Sequence, residues 1–124
     1  MTRVVNLERC FEAFQETFTP KIVGELNGQH VKLVHLEGDK VPLHVHEQED
    51  ELFLVLAGEL VVIDEGQEVV LGPGEFCIVE RGREHRIVPR GKVRLLLFEP
   101  AGIAHTGAVR AEITRDACDW LEVD

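Results

Sequence analysis

His44 and His46 are separated by one residue, Glu51 follows the polar loop Glu47 to Asp50, and His85 opens a later apolar run. Residues two apart on an extended strand project from the same face. The two imidazoles therefore share a side while Val45 points the other way. An antiparallel return at Glu51 brings its carboxylate back beside the pair. Three neutral imidazoles and one carboxylate suit a divalent first-row ion, Zn²⁺, Fe²⁺, Mn²⁺, Ni²⁺ or Co²⁺, with one or two positions open to water or substrate. The ion and one carboxylate together remain positive, which favours an anionic or enolisable oxygen ligand. A lone His-x-His in a strand is ordinarily a surface or structural pair; Glu51 and His85 in step with it favour a metal centre. Glu49 and Asp50 compete with Glu51 for the carboxylate position, and Glu51 is preferred.

These residues must be held by strands. From Lys21 to Pro100 the chain is a series of short runs rich in Val, Leu and Ile, divided by turn signals such as Asn27-Gly28, Glu65-Gly66 and Gly72-Pro73-Gly74. The expected strands are 22–26, 30–37, 41–46, 51–56, 59–63, 68–71, 75–80, 85–88 and 93–99. Nine strands with no helix between them predict an all-β sandwich or barrel. Ahead of them Leu7, Cys10, Phe11, Phe14 and Phe18 recur at helical spacing between the cap residue Asn6 and the breaker Pro20. The expected organisation is one domain, with residues 1–20 a helix packed on the barrel and residues 21–124 the barrel with its C-terminal tail. The tail is periodic only around 117–123.

The spacing resembles that of the cupin superfamily. Its first motif runs Gly, five residues, His-x-His, three or four residues, Glu, six residues, Gly; Gly38, His44, His46, Glu51 and Gly58 follow it without a gap. Its second runs Gly, five residues, Pro-x-Gly, two residues, His, three residues, Asn; Gly74, Gly82 and His85 match, with Glu80 in place of the proline and Pro89 in place of the asparagine. The resemblance implies a small jelly-roll barrel with a metal inside it, commonly a homodimer, related to phosphomannose isomerase-like and dioxygenase-like cupins. It implies no single reaction, because one fold hosts many chemistries.

Composition narrows the partners. The formal charge of −10 repels phosphate backbones and anionic lipid, so neither nucleic acid nor membrane is expected. Cys10, Cys77 and Cys118 are odd in number and widely spaced, which argues against a disulfide framework and for the cytoplasm. No leader or membrane-spanning stretch is expected. If Glu51 faces inward, Leu52, Leu54 and Leu56 face outward and need a cover, for which a second subunit is favoured over burial within the chain. Arg81, Arg83, Arg86 and Arg90 flank His85 and could draw an acidic substrate, although solvated surface residues are the plainer reading. His35 and Cys77 read as packing residues, and His30 and His105 carry no role. The expected function is a metal-dependent enzyme of isomerase, lyase or dioxygenase type acting on a small polar molecule, with no separate acid or base. The alternative is a non-catalytic binding or sensing module.

Overall fold

The computed structural model describes residues 2–101 and 118–122; His105 and most of the tail lie outside them. The chain opens with helix α1 (Leu7–Glu12), followed by β1 (Lys21–Leu26), β2 (Gln29–Leu36), β3 (Glu51–Asp64), β4 (Gln67–Leu71), β5 (Phe76–Val79), β6 (His85–Pro100) and β7 (Asp119–Trp120). They form one sheet in the order β4-β3-β6-β2-β1-β7, with β5 paired to β3 beside β4. All pairings are antiparallel except that of β7 with β1.

Period-two alternation decides what the rolled sheet encloses. Phe53 and Val55 of β3, Val34 and Leu36 of β2, and Leu95 and Leu97 of β6 point inward and are buried together. The opposite faces of β1, β2, β3 and β6 meet the helix: Cys10, Phe11 and Phe14 pack with Val23 and Leu33, and Leu56 and Leu96 close against them. Helix α1 thus covers part of the outer stripe, Leu56 included, while Leu52 and Leu54 stay half-buried.

Four expectations are corrected. The helix reaches only Glu12, because its apolar residues have two destinations. Phe11 and Phe14 sit outside the sheet, whereas Phe18 enters the inner core. No single helix can serve both, so the chain leaves the helix at Ala13 and Phe18 takes a φ of 54°. Residues 41–46 are not a strand: Pro42 has no N–H to give a ladder, and pairing is confined to the bridge between His44 and His85. The four runs at 51–56, 59–63, 85–88 and 93–99 are two long strands, β3 and β6, whose register shifts around Ala57. Short strand β7 was not anticipated.

Gly58 shows why Ala57-Gly58 bends the strand instead of ending it. Its φ is +85°, and a Cβ there would stand 2.3 Å from the Lys92 carbonyl oxygen on the neighbouring strand. Only glycine fits. Gly58→Ala is expected to destabilise the fold by on the order of 2–4 kcal/mol from backbone strain and overpacking. Gly66→Ala, at a φ of +81° with nothing within 4 Å, should cost only about 1 kcal/mol. Equal denaturation midpoints for the two variants would contradict this account.

Candidate metal centre

His44 is placed by a two-way backbone pairing with His85: each N–H donates to the other's carbonyl, at 2.9 and 2.8 Å. The Gly82 N–H donates to the His46 carbonyl at 2.8 Å. The segment bearing His44 and His46 is thereby stitched to the start of β6 without becoming a strand. The expected sidedness holds, since both imidazoles are buried and Val45 is half-buried. Glu51 opens β3 with its side chain inward, beside Phe53 and Val55.

The ring nitrogens are sorted by their neighbours. His44 Nδ1 donates to the Pro42 carbonyl at 2.8 Å and His85 Nδ1 to the Arg83 carbonyl at 3.0 Å. His46 Nδ1 lies 3.4 Å from Glu49 Oε1. With Nδ1 of His44 and His85 held as the N–H, their Nε2 lone pairs are left free, which is the tautomer a metal-binding histidine needs. His46 Nε2 stands 3.4 Å and His85 Nε2 3.6 Å from Glu51 Oε1. All four residues can offer ligand atoms within 4.8 Å of one another, a spread that one ion with bonds of about 2.0–2.2 Å can draw together by small movements.

The three Nε2 atoms and Glu51 Oε1 are buried and have no hydrogen-bond partner among the described residues. Such groups cost on the order of 1–3 kcal/mol each when left unpaired. Four of them at one point fit a divalent ion and nothing apolar. The protonation states of His44 and Glu51 suit metal ligation. Burial, opposed by the Pro42 carbonyl and reinforced by His85, holds His44 down to about 4, so it stays neutral. At His46, burial is outweighed by Glu51 and Glu49, and its pKa lies above the ordinary histidine value. Burial also works against the Glu51 charge, yet the adjoining His46, His85 and Glu99 keep the carboxyl well below the usual carboxylate range.

A cupin-domain family model matches residues 32–99, just over half of the chain and all four of these side chains. The chain is a cupin. Its all-β rolled sheet is the jelly-roll barrel expected of that family. It is 39% identical over 95 residues to the tetracenomycin polyketide synthase protein TcmJ of Streptomyces glaucescens, covering 75% of this cupin and 62% of that protein. It is 38% identical over 58 residues to an oxalate-binding protein of Thermotoga maritima, covering 47% of this cupin and 48% of the relative. These matches span less than two-thirds of either relative. The crystal structure of a cupin-2 domain containing protein from Shewanella frigidimarina superposes with a TM-score of 0.75 at 30% identity, covering 78% of this cupin and 94% of that chain.

The other sequence candidates fall elsewhere. Arg81, Arg83 and Arg86 pair with Asp50, Asp64 and Asp39 on the surface, and Arg90 is exposed. His35 Nε2 hydrogen-bonds the Phe11 carbonyl at 2.9 Å, fastening the helix to the sheet. Cys77 packs on the core, its thiol pushed up to about 11 by burial and then by Asp64. His30 meets Glu25 at 2.8 Å.

Two residues next to the centre had not been singled out. Glu99 and Lys32 are fully buried and paired at 3.0 Å. Burial and the neighbouring Glu51 raise the Glu99 pKa against the pull of Lys32. Their signal in the sequence is position: Lys32 shares the inward parity of Val34 and Leu36, and Glu99 that of Leu95 and Leu97.

Proposed function

We propose that His44, His46, Glu51 and His85 hold one divalent transition-metal ion, and that this cupin is a metal-dependent enzyme acting on a small molecule through an oxygen donor. The observation that carries this reading is the set of four buried donor atoms, aimed at one another and without partners. A bound ion supplies Lewis acidity, or access to dioxygen if it is redox-active. The chain's own residues do the rest. The Pro42 and Arg83 carbonyls fix two rings, Glu49 steadies the third, and Phe53 and Leu95 keep the inner side dry. Among the described residues lining the space beside the donors, only His44 and Glu51 are ionisable. No separate acid or base is therefore assigned.

Isomerase or lyase chemistry and dioxygenation are both open to this donor set. The likeness to an oxalate-binding protein favours a second reading, a module that binds its ligand without turnover. Metal analysis of protein purified without an affinity tag comes first. Iron, with oxygen consumed on adding diols or thiols, supports an oxygenase; zinc with ligand uptake and no turnover supports the binding module. Metal-free protein from such a preparation would sink both. Glu49→Gln should weaken metal affinity about tenfold, as expected when a group behind a ligand is lost, read by competition with a chromogenic chelator.

We also propose a homodimer through the outer face of β3, β5 and β6. Phe76 and Ile78 are 60% and 55% exposed, and they continue the half-buried Leu52, Leu54 and Phe98 across the paired strands. An apolar face of this kind marks an interface. Ile78→Asp is expected to convert a dimer into a monomer in light scattering, with circular dichroism unchanged; a wild-type monomer would refute it. Free Cys10, Cys77 and Cys118 fit a cytoplasmic location. No helix among the described residues is long and apolar enough to cross a membrane.

A further inference from the structure

Beside the donors lies a space of about 30 Å³ whose wall includes His44 and Glu51. Apart from those two, the described residues around it are apolar, among them Phe18, Val34, Leu36, Phe53, Leu95 and Leu97. The metal-facing atoms of His44 and Glu51 are committed to the ion in the reading above, on which this inference rests. Among the described residues lining it, no other side chain offers a donor or acceptor. An ordered water needs two to four polar partners, and a space of this size holds about two water-sized groups. A hydroxyl, phosphate or second carboxylate placed there would lose its hydration without replacement. The arginines that could have met an anion are turned to surface carboxylates.

We infer that this space receives a short alkyl group, about two carbon atoms long, on a ligand whose oxygen end faces the metal. The substrate class is a small carboxylate, ketone or enol with an apolar end, not a polyol, phosphorylated sugar or dicarboxylate. The ligand is therefore polar at one end only. Val34 and its neighbours are specificity-determining residues, because they select by what they refuse to solvate.

The test uses the full chain loaded with zinc, its metal content measured first, and follows binding of formate, acetate, propionate and glycolate by calorimetry. Each added carbon should tighten binding about fourfold, so propionate should exceed formate by more than tenfold. Propionate should also exceed glycolate, whose hydroxyl must either enter the space unpaired or turn to the metal and leave the space empty. Glycolate has the same length and an extra chelating oxygen, so that preference cannot come from the metal. Val34→Thr, which places a hydroxyl in the wall at constant shape, should narrow the propionate-to-glycolate ratio while metal content stays the same. A zinc-loaded protein that binds formate as well as propionate, or binds neither, overturns the inference and leaves the metal site standing. A chain that takes up no zinc removes the metal reading, and the inference falls with it.

Discussion

Replacing His85 with alanine should leave the chain unable to retain its metal. Four-ligand sites of this kind bind with about 10–16 kcal/mol, so one donor in four accounts for about 3 kcal/mol, on the order of a hundredfold in affinity. Metal content measured after dialysis should fall from about one ion per chain to background. The backbone pairing of residue 85 with His44 uses only main-chain atoms and survives the substitution. With metal removed by a chelator, variant and wild type should therefore unfold within about 1–2 kcal/mol of each other. Unchanged metal content in the variant would disprove the assignment. A fold lost even without metal would show that the ring, and not the ion, holds this end together.

The second large effect lies behind the centre. Lys32→Met leaves Glu99 buried beside Glu51 with no counter-charge, and breaking a buried pair on one side costs about 3–5 kcal/mol. That is about a fifth or more of the stability of an ordinary small domain. The double replacement Lys32→Met with Glu99→Leu removes both charges and should return to within about 1–2 kcal/mol of wild type. Urea denaturation of chelated protein reads both values. If the single variant is as stable as wild type, the pair contributes nothing and the burial of the two side chains needs another reason.

That His44, His46 and Glu51 lie close was legible from local spacing, and His85 from the resemblance to the second cupin motif. A His-x-His pair must share a side in any extended segment, and Glu51 and His85 each open a run whose parity is set by its leucines and valines. The segment carrying His44 and His46 was misread as a strand because its alternation is that of a strand; what it lacks is the continuous hydrogen bonding that Pro42 prevents. The helix was overextended to Phe18 because periodicity cannot reveal that Phe14 and Phe18 are destined for opposite sides of the sheet. Lys32 and Glu99 escaped notice for a related reason. Each alone looks like a surface residue at a strand end, and only the β2–β6 alignment brings them together. The Arg81 and Arg86 pairings with Asp50 and Asp39 depend on tertiary contacts spanning 31 and 47 residues, beyond the reach of pattern. The walls beside the donors, by contrast, follow from the same alternation that marks the core.

The Lys32–Glu99 pair has a meaning for how the chain finds its native alignment. Lys32 sits opposite Leu97, one step diagonally from Glu99. Sliding β2 by a single residue against β6 would turn the ammonium out beneath the helix, among Phe11, Phe14 and Val23. A slide of two toward Leu95 would keep it inside but strand it among leucines, whereas the opposite slide would set it directly across from Glu99. The single slide and the slide toward Leu95 bury an uncompensated charge, whereas a wholly aliphatic seam would tolerate either. The ion pair therefore serves as a proofreading mark against these two misalignments of long, repetitive strands.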